Sequence, residues 1–308
     1  MMFDLFLVAL GLVALVIGGE GLVRGAVSVA RRAGLSPLVI GLTLVGFGTS
    51  APELMTSLVA ALDGLPGIAL GNVVGSNIAN ILLILGVAAV IAPMVAGAVL
   101  GRDGWVMLAA TAAVIGLILT GTIGLSAGVT LFAALIVYLG YTLWAGGEAD
   151  LDTTTPPAPI WQGLAYFVAG LVGVVLGANW LVDGASNIAR VIGISEAVIG
   201  LTIVAVGTSL PELVTSALAA RKGQGAIAVG NVIGSNIFNI LGILGITATV
   251  TPLSVPAEIT GVTLWVLGGA ALVPMALMLA FGVISRFWGA VMVALYAAYT
   301  LYLVVGAL

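Results

Sequence analysis

Residues 41–57 read GLTLVGFGTSAPELMTS, and residues 71–86 read GNVVGSNIANILLILG. The chain carries both stretches a second time: residues 200–216 read GLTIVAVGTSLPELVTS, and residues 230–245 read GNVIGSNIFNILGILG. Residues 41–86 align with 200–245 at a constant offset of 159, without a gap, and 30 of the 46 positions are identical. A chain rich in Gly, Ala, Val and Leu produces weak self-similarity by composition alone. Composition does not bring Thr, Ser, Pro, Glu and Asn into one register twice. The chain is therefore read as two homologous halves.

The rest of the sequence identifies the solvent. Of 308 residues, 62% are hydrophobic and 6% are charged, whereas a soluble domain carries about 25% charged residues. No soluble fold of this size hides so much apolar surface, so the surroundings must be lipid. A membrane helix needs about 20 apolar residues, and Gly, Pro and polar punctuation divides this chain into ten such segments: 3–31, 35–61, 66–92, 104–120, 125–147, 160–192, 195–220, 225–251, 257–282 and 285–306. The expected fold is an all-α polytopic membrane protein. Residues 1–147 form a first five-helix repeat, residues 148–159 an acidic, Pro-rich connector, and residues 160–308 a second five-helix repeat. Met1 to Asp4 has no positive n-region, so the first apolar stretch reads as a retained span and not a cleaved signal peptide.

Five spans per repeat invert the second copy in the membrane. The charges agree with that arrangement. Arg31, Arg32, Arg102, Arg221, Lys222 and Arg286 fall in alternate connections that share one side, whereas Arg190 falls on the other. The positive-inside rule then places both termini outside the cytoplasm and the acidic connector within it. The expected location is a prokaryotic inner (plasma) membrane, with a monomer in the lipid bilayer. Trp105, Trp144, Trp161 and Trp288 sit where interfacial anchors are expected. There is no Cys and no His. Disulfides, thiolate metal sites, Cys nucleophiles and the usual neutral-pH switch are excluded. No basic patch suggests nucleic acid, and no cofactor is expected.

Two constellations carry chemistry. The first is Gly48-Thr49-Ser50-Ala51-Pro52-Glu53, repeated as Gly207-Thr208-Ser209-Leu210-Pro211-Glu212. Pro52 has no amide hydrogen to give the carbonyl of Gly48, and such a break in mid-membrane is tolerated only inside protein or beside a cavity. A simple proline kink, with Ser and Thr bonded to their own helix, accounts for Thr-Ser-x-Pro. It does not account for a glutamate, which costs at least about 2.5–3.5 kcal/mol at the centre of a membrane helix. The second constellation is Gly71-Asn72-x-x-Gly75-Ser76-Asn77-x-x-Asn80, repeated as Gly230-Asn231-x-x-Gly234-Ser235-Asn236-x-x-Asn239. Its amides and hydroxyls are neutral oxygen ligands of the kind hard cations take. The alternative is that these groups cross-link helices. Asn72 and Asn231, nearer the helix ends, suit caps or packing as well as ligation. Ser76, Asn80, Ser235 and Asn239 lie deeper and suit a site lining. Glu20, Arg24 and Asp183 read as solvated ends or structural ion pairs.

A Ca²⁺ between Glu53 and Glu212 is charge-neutral. Its departure leaves two carboxylates in a poor solvent, which must take Na⁺, take protons or meet water. That requirement couples the exit of one cation to the entry of others.

The paired G-T-S-x-P-E and G-N-x-x-G-S-N-x-x-N motifs resemble the α-repeats of the sodium/calcium exchanger family, within the cation/calcium antiporters. The motifs cover about 92 residues, and the five-plus-five arrangement extends the likeness over nearly the whole chain. The resemblance implies a ten-helix antiporter that binds ions where spans 2, 3, 7 and 8 cross. It implies a Ca²⁺ site made of the Glu53 and Glu212 carboxylates with the backbone carbonyls of Thr49 and Thr208. Flanking Na⁺ sites are implied at Ser50, Ser76, Ser209 and Ser235, with carbonyls near Gly46 and Ala205. Long first and sixth spans are implied to slide. Some prokaryotic relatives and the potassium-dependent branch carry Asp where this chain has Asn239, which weakens a K⁺-dependent reading and leaves Na⁺ against H⁺ open. Electrogenic Na⁺/Ca²⁺ exchange is the leading expectation. H⁺/Ca²⁺ exchange through the same glutamates is its alternative. A carboxylate-ringed cation channel and an intramembrane hydrolase are the readings from other classes.

Overall fold

Glycine, proline and serine set the ends of the helices. Gly34 closes the first helix in a left-handed conformation, its N–H bonded to the Ala30 carbonyl. Ser36 then starts the next, accepting from the Val39 N–H ahead of Pro37, as an N-cap followed by proline does. In a computed structural model, residues 1–95, 101–145, 159–192, 205–256 and 259–306 are described.

The helices are α1 (Met2–Ala33), α2 (Pro37–Thr49), α3 (Ala51–Leu62), α4 (Pro66–Ile91), α5 (Arg102–Leu119) and α6 (Leu125–Ala145). They continue as α7 (Ile160–Val191), α8 (Ala205–Thr208), α9 (Leu210–Arg221), α10 (Gly225–Val250), α11 (Val262–Phe281) and α12 (Arg286–Gly306). Among the described residues, eight helices are long and apolar enough to cross a membrane. The pair α2–α3, bent by 44°, passes the same length and hydropathy test only when its two helices are taken together. The expected span over 195–220 lies outside the described residues as far as 204, and its remainder is α8 and α9. The connector expected at 148–159 also lies outside them, apart from Pro159.

The helix contacts reveal the inversion directly. A Cβ added at Gly25 would lie 2.3 Å from the Phe167 nitrogen, one at Gly18 2.6 Å from the Val174 nitrogen, and one at Gly11 2.7 Å from the Gly177 oxygen. Rising numbers in α1 meet falling numbers in α7, so the two helices run antiparallel. They open the two halves, and the halves therefore enter the bilayer from opposite sides. Small residues allow this approach, since membrane helices associate through packing and not through a hydrophobic drive.

α4 and α10 form the centre, and the most apolar stretch of α10 is wholly buried. α6 packs on the end of α10, and α12 packs on the end of α4, so the last helix of each half covers the end of the other half's central helix. Two short antiparallel ladders add a crossed tie. β1 (Met94–Val95) pairs with β4 (Val283–Ile284), and β2 (Thr122–Ile123) pairs with β3 (Leu253–Ser254). Each ladder joins the end of a central helix in one half to the hairpin of the other.

Candidate functional site: a crossing of broken helices

The two proline motifs produce the same local break. Ser50 (φ −84°, ψ 7°) and Ser209 (φ −92°, ψ 6°) leave the helical conformation just before Pro52 and Pro211. A proline without an N–H is tolerated in the first turn of a helix, so the chain stops and restarts there. The restart puts Glu53 and Glu212 in the first turn of α3 and α9, where the helix end favours negative charge.

α4 and α10 widen at the matching depth. Asn80–Leu85 and Phe238–Leu244 are π-helical, with one extra residue in the turn, a distortion that recurs at functional sites. Asn80 opens the first widened turn, and Asn239 is the second residue of the other. α3 packs on Phe238–Leu244 and α9 on Asn80–Leu85, so each glutamate-bearing helix meets the widened turn of the opposite half.

The side chains interlock across the halves. Ser50 Oγ donates to Glu212 Oε1 at 3.0 Å, and Ser209 Oγ donates to Glu53 Oε1 at 3.4 Å. Each carboxylate is 1% exposed, and Glu53 lies within electrostatic reach of Glu212. Among the described residues no ion pair includes either glutamate. Nor does any group of three or more His, Cys, Asp or Glu form a metal cluster among them. A cation bound here would draw its remaining ligands from neutral oxygens.

Unpaired oxygens of both kinds, carboxylate and amide, are present. Glu53 Oε2, Glu212 Oε2, Asn80 Oδ1 and Asn239 Oδ1 are buried and have no hydrogen-bond partner. Leaving a buried polar atom unsatisfied costs about 1–3 kcal/mol, and more for a charged group. Native structures leave few such atoms; nine occur among the described residues, and four of the nine belong to the two glutamates and the two widened turns.

The other expected residues fall around this set. Thr49 Oγ1 lies 3.1 Å from the Val45 carbonyl and 3.2 Å from Asn231 Oδ1. Ser235 Oγ donates to the Gly46 carbonyl at 3.4 Å. Ser76 Oγ donates to the Asn72 carbonyl at 2.7 Å and accepts from Asn239 Nδ2 at 3.0 Å. Ala205 and Thr208 bound α8, which packs on α4. Outside the site, Glu20 pairs with Arg24 at 3.6 Å and with Lys222, a structural ion pair of the expected kind.

Asn72 and Asn231 turn out to serve the glutamates. Asn72 Nδ2 donates to the Glu53 carbonyl at 3.1 Å and to Ser57 Oγ at 2.8 Å. Asn231 Nδ2 does the same to the Glu212 carbonyl at 3.3 Å and to Ser216 Oγ at 2.9 Å. Ser57 and Ser216 were not singled out from sequence. Their signal was available in the Glu-Leu-x-Thr-Ser run that both halves share.

The family model described as sodium/calcium exchanger protein matches residues 3–144 and 162–305. A putative antiporter, CaxA, of Alkalimonas amylolytica is 38% identical over 294 residues, covering 91% of each chain. The sodium/calcium exchanger MaX1 of Methanosarcina acetivorans is 35% identical over 341 residues, covering 96% of this chain and 97% of its own. A solved structure of the sodium-calcium exchanger NCX_Mj, soaked with 10 mM Na⁺ and zero Ca²⁺, superposes with a TM-score of 0.85 at 37% identity. The match covers 96% of this chain and 97% of that one.

Proposed function

The chain belongs to the sodium/calcium exchanger family, and from that premise we propose that it exchanges Ca²⁺ for Na⁺ across the membrane by alternating access. The observation that carries this reading is the set of four buried, donor-free oxygens from Glu53, Glu212, Asn80 and Asn239. Two carboxylates neutralise one Ca²⁺, and hard divalent ions take six to eight oxygens. The carbonyls of Thr49 and Thr208 would complete that shell. Ser50, Ser76, Ser209 and Ser235, with the carbonyls of Gly46 and Ala205, would hold Na⁺ once Ca²⁺ has left. Exchange of more than two Na⁺ for each Ca²⁺ would be electrogenic. Residues 1–147 and 160–308 act as the two inverted repeats, with both termini outside the cytoplasm of a prokaryotic inner membrane.

Access changes through the α1–α7 pair. Within the pair, contact is backbone to backbone at Gly11, Gly18, Gly25 and Gly170. Against the site-bearing helices it runs through side chains: Gly19 faces Leu218 and Val214, and Gly48 faces Leu171. Side chains change rotamer more easily than backbones separate, so the pair moves as one body along α2, α8 and α9.

Reconstituted vesicles test the proposal. With protons clamped by buffer and ionophore, an outward Na⁺ gradient should drive Ca²⁺ uptake, and the uptake should respond to membrane potential. Ca²⁺ uptake that follows a proton gradient and ignores Na⁺ would assign the same glutamates to H⁺/Ca²⁺ exchange. Unitary currents would assign a channel.

A further inference from the structure

The two halves carry the same Ser-Asn-x-x-Asn sequence, yet they are wired differently. Asn80 Nδ2 donates to Asn236 Oδ1 at 3.0 Å, and Asn236 Nδ2 donates to the Asn77 carbonyl at 3.4 Å. The twofold mate of the first bond would run from Asn239 to Asn77. It is not the bond formed: Asn239 turns to Ser76, and Asn77 Nδ2 bonds back to the Val73 carbonyl in its own helix at 2.7 Å.

A side-chain amide has two orientations, and its neighbours decide between them. Here the decision is forced from one end. The Asn77 carbonyl can only accept. Asn236 must present its NH₂ there, beside the weak acceptor Met107 Sδ at 3.7 Å. Its oxygen therefore faces Asn80. Asn80 must answer with its own NH₂, which turns Asn80 Oδ1 away from Asn236 as a free acceptor. Reversing Asn80 alone would set two carbonyl oxygens against each other. Reversing both amides would set Asn236 Oδ1 against the Asn77 carbonyl.

We infer that Asn236 is a positioning residue, which binds no ion itself but fixes the Asn80 amide so that its oxygen and not its NH₂ is offered to the transported cation. The inference rests on the proposed cation site and adds to it a residue that acts through Asn80. An NH₂ group turned toward a cation repels it. Losing the polarity of the relay should therefore weaken ion binding while leaving the helices in place.

The test is a pair of variants with the same shape. Threonine at 236 can donate to the Asn77 carbonyl and accept from Asn80; valine can do neither. Na⁺-driven Ca²⁺ flux in vesicles gives the apparent Ca²⁺ affinity, and the wild-type chain run in parallel checks the site reading by itself. We expect Asn236→Thr to keep the half-saturating Ca²⁺ concentration within about threefold. Asn236→Val should raise it about tenfold or more with maximal flux largely kept, the scale of one hydrogen bond to a charged centre. A working wild type with equal affinity in the two variants would overturn the relay. A wild type with no Na⁺-driven Ca²⁺ flux would instead overturn the reading beneath it. Should Asn236→Val not purify as a folded protein, Asn236→Ser and Asn236→Ala make the same comparison.

Discussion

Glu53 and Glu212 each commit one carboxylate oxygen to a serine of the opposite half and keep the other bare. That division fits a group that must be held in place and still meet an ion. Glu53→Gln and Glu212→Gln keep the size and the bond to serine while removing the charge. Each is expected to lower Ca²⁺ flux at least a hundredfold with folding preserved, since a half-neutralised divalent ion stays exposed to a poor solvent. Isotope flux beside size-exclusion profiles checks this, and near-normal flux in either variant would remove the two-carboxylate site. The glutamates were legible in sequence because a carboxylate in lipid is costly enough to need a reason. The roles of Asn72 and Asn231 were not. Spacing alone left them between capping, packing and ligation, and only their bonds to the Glu53 and Glu212 carbonyls showed that they hold the broken helices in place.

At the level of elements, the proline motif announced a break in the second span, and the structure places it at Ser50 with a 44° bend. The π-helical turns of α4 and α10 had no such notice. One extra residue per turn leaves an apolar sequence looking apolar, and the turn becomes visible only when the hydrogen bonds are traced. The glycine seam between α1 and α7 is the element with the sharpest consequence. A Cβ at Gly170 would fall 2.2 Å from the Leu22 nitrogen, closer than atoms can approach. Gly170→Val must separate the two helices, and Na⁺-driven Ca²⁺ flux should fall at least tenfold. The exposed Gly140, where an added Cβ meets nothing within 4 Å, supplies the control. Gly140→Val should transport normally; an equal loss in both variants would show that the seam has no special part in access.

For the whole molecule, the antiparallel contact of α1 with α7 fixes the inversion of the halves but not which face is cytoplasmic. The proposed direction rests on the arginines and lysine in alternate connections, through the positive-inside rule. The chain has no cysteine, so single introduced thiols report topology cleanly. Met2→Cys and Val305→Cys should react with an impermeant maleimide from outside intact cells, whereas Ala33→Cys should react only after permeabilisation. The opposite pattern would invert the assignment.

The sequence by itself determined the membrane class, the two halves and the costly glutamates. Each of these follows from composition, register or the energy of a charge in lipid, and none needs a neighbour distant in the chain. The tertiary structure decided the wiring. The bonds that distinguish Asn80 from Asn239, and the crossed ladders that tie β1 to β4 and β2 to β3, join residues 130 or more positions apart. Identical motifs cannot encode different partners on their own. Each amide takes its orientation from whatever carbonyl the packed helices bring beside it.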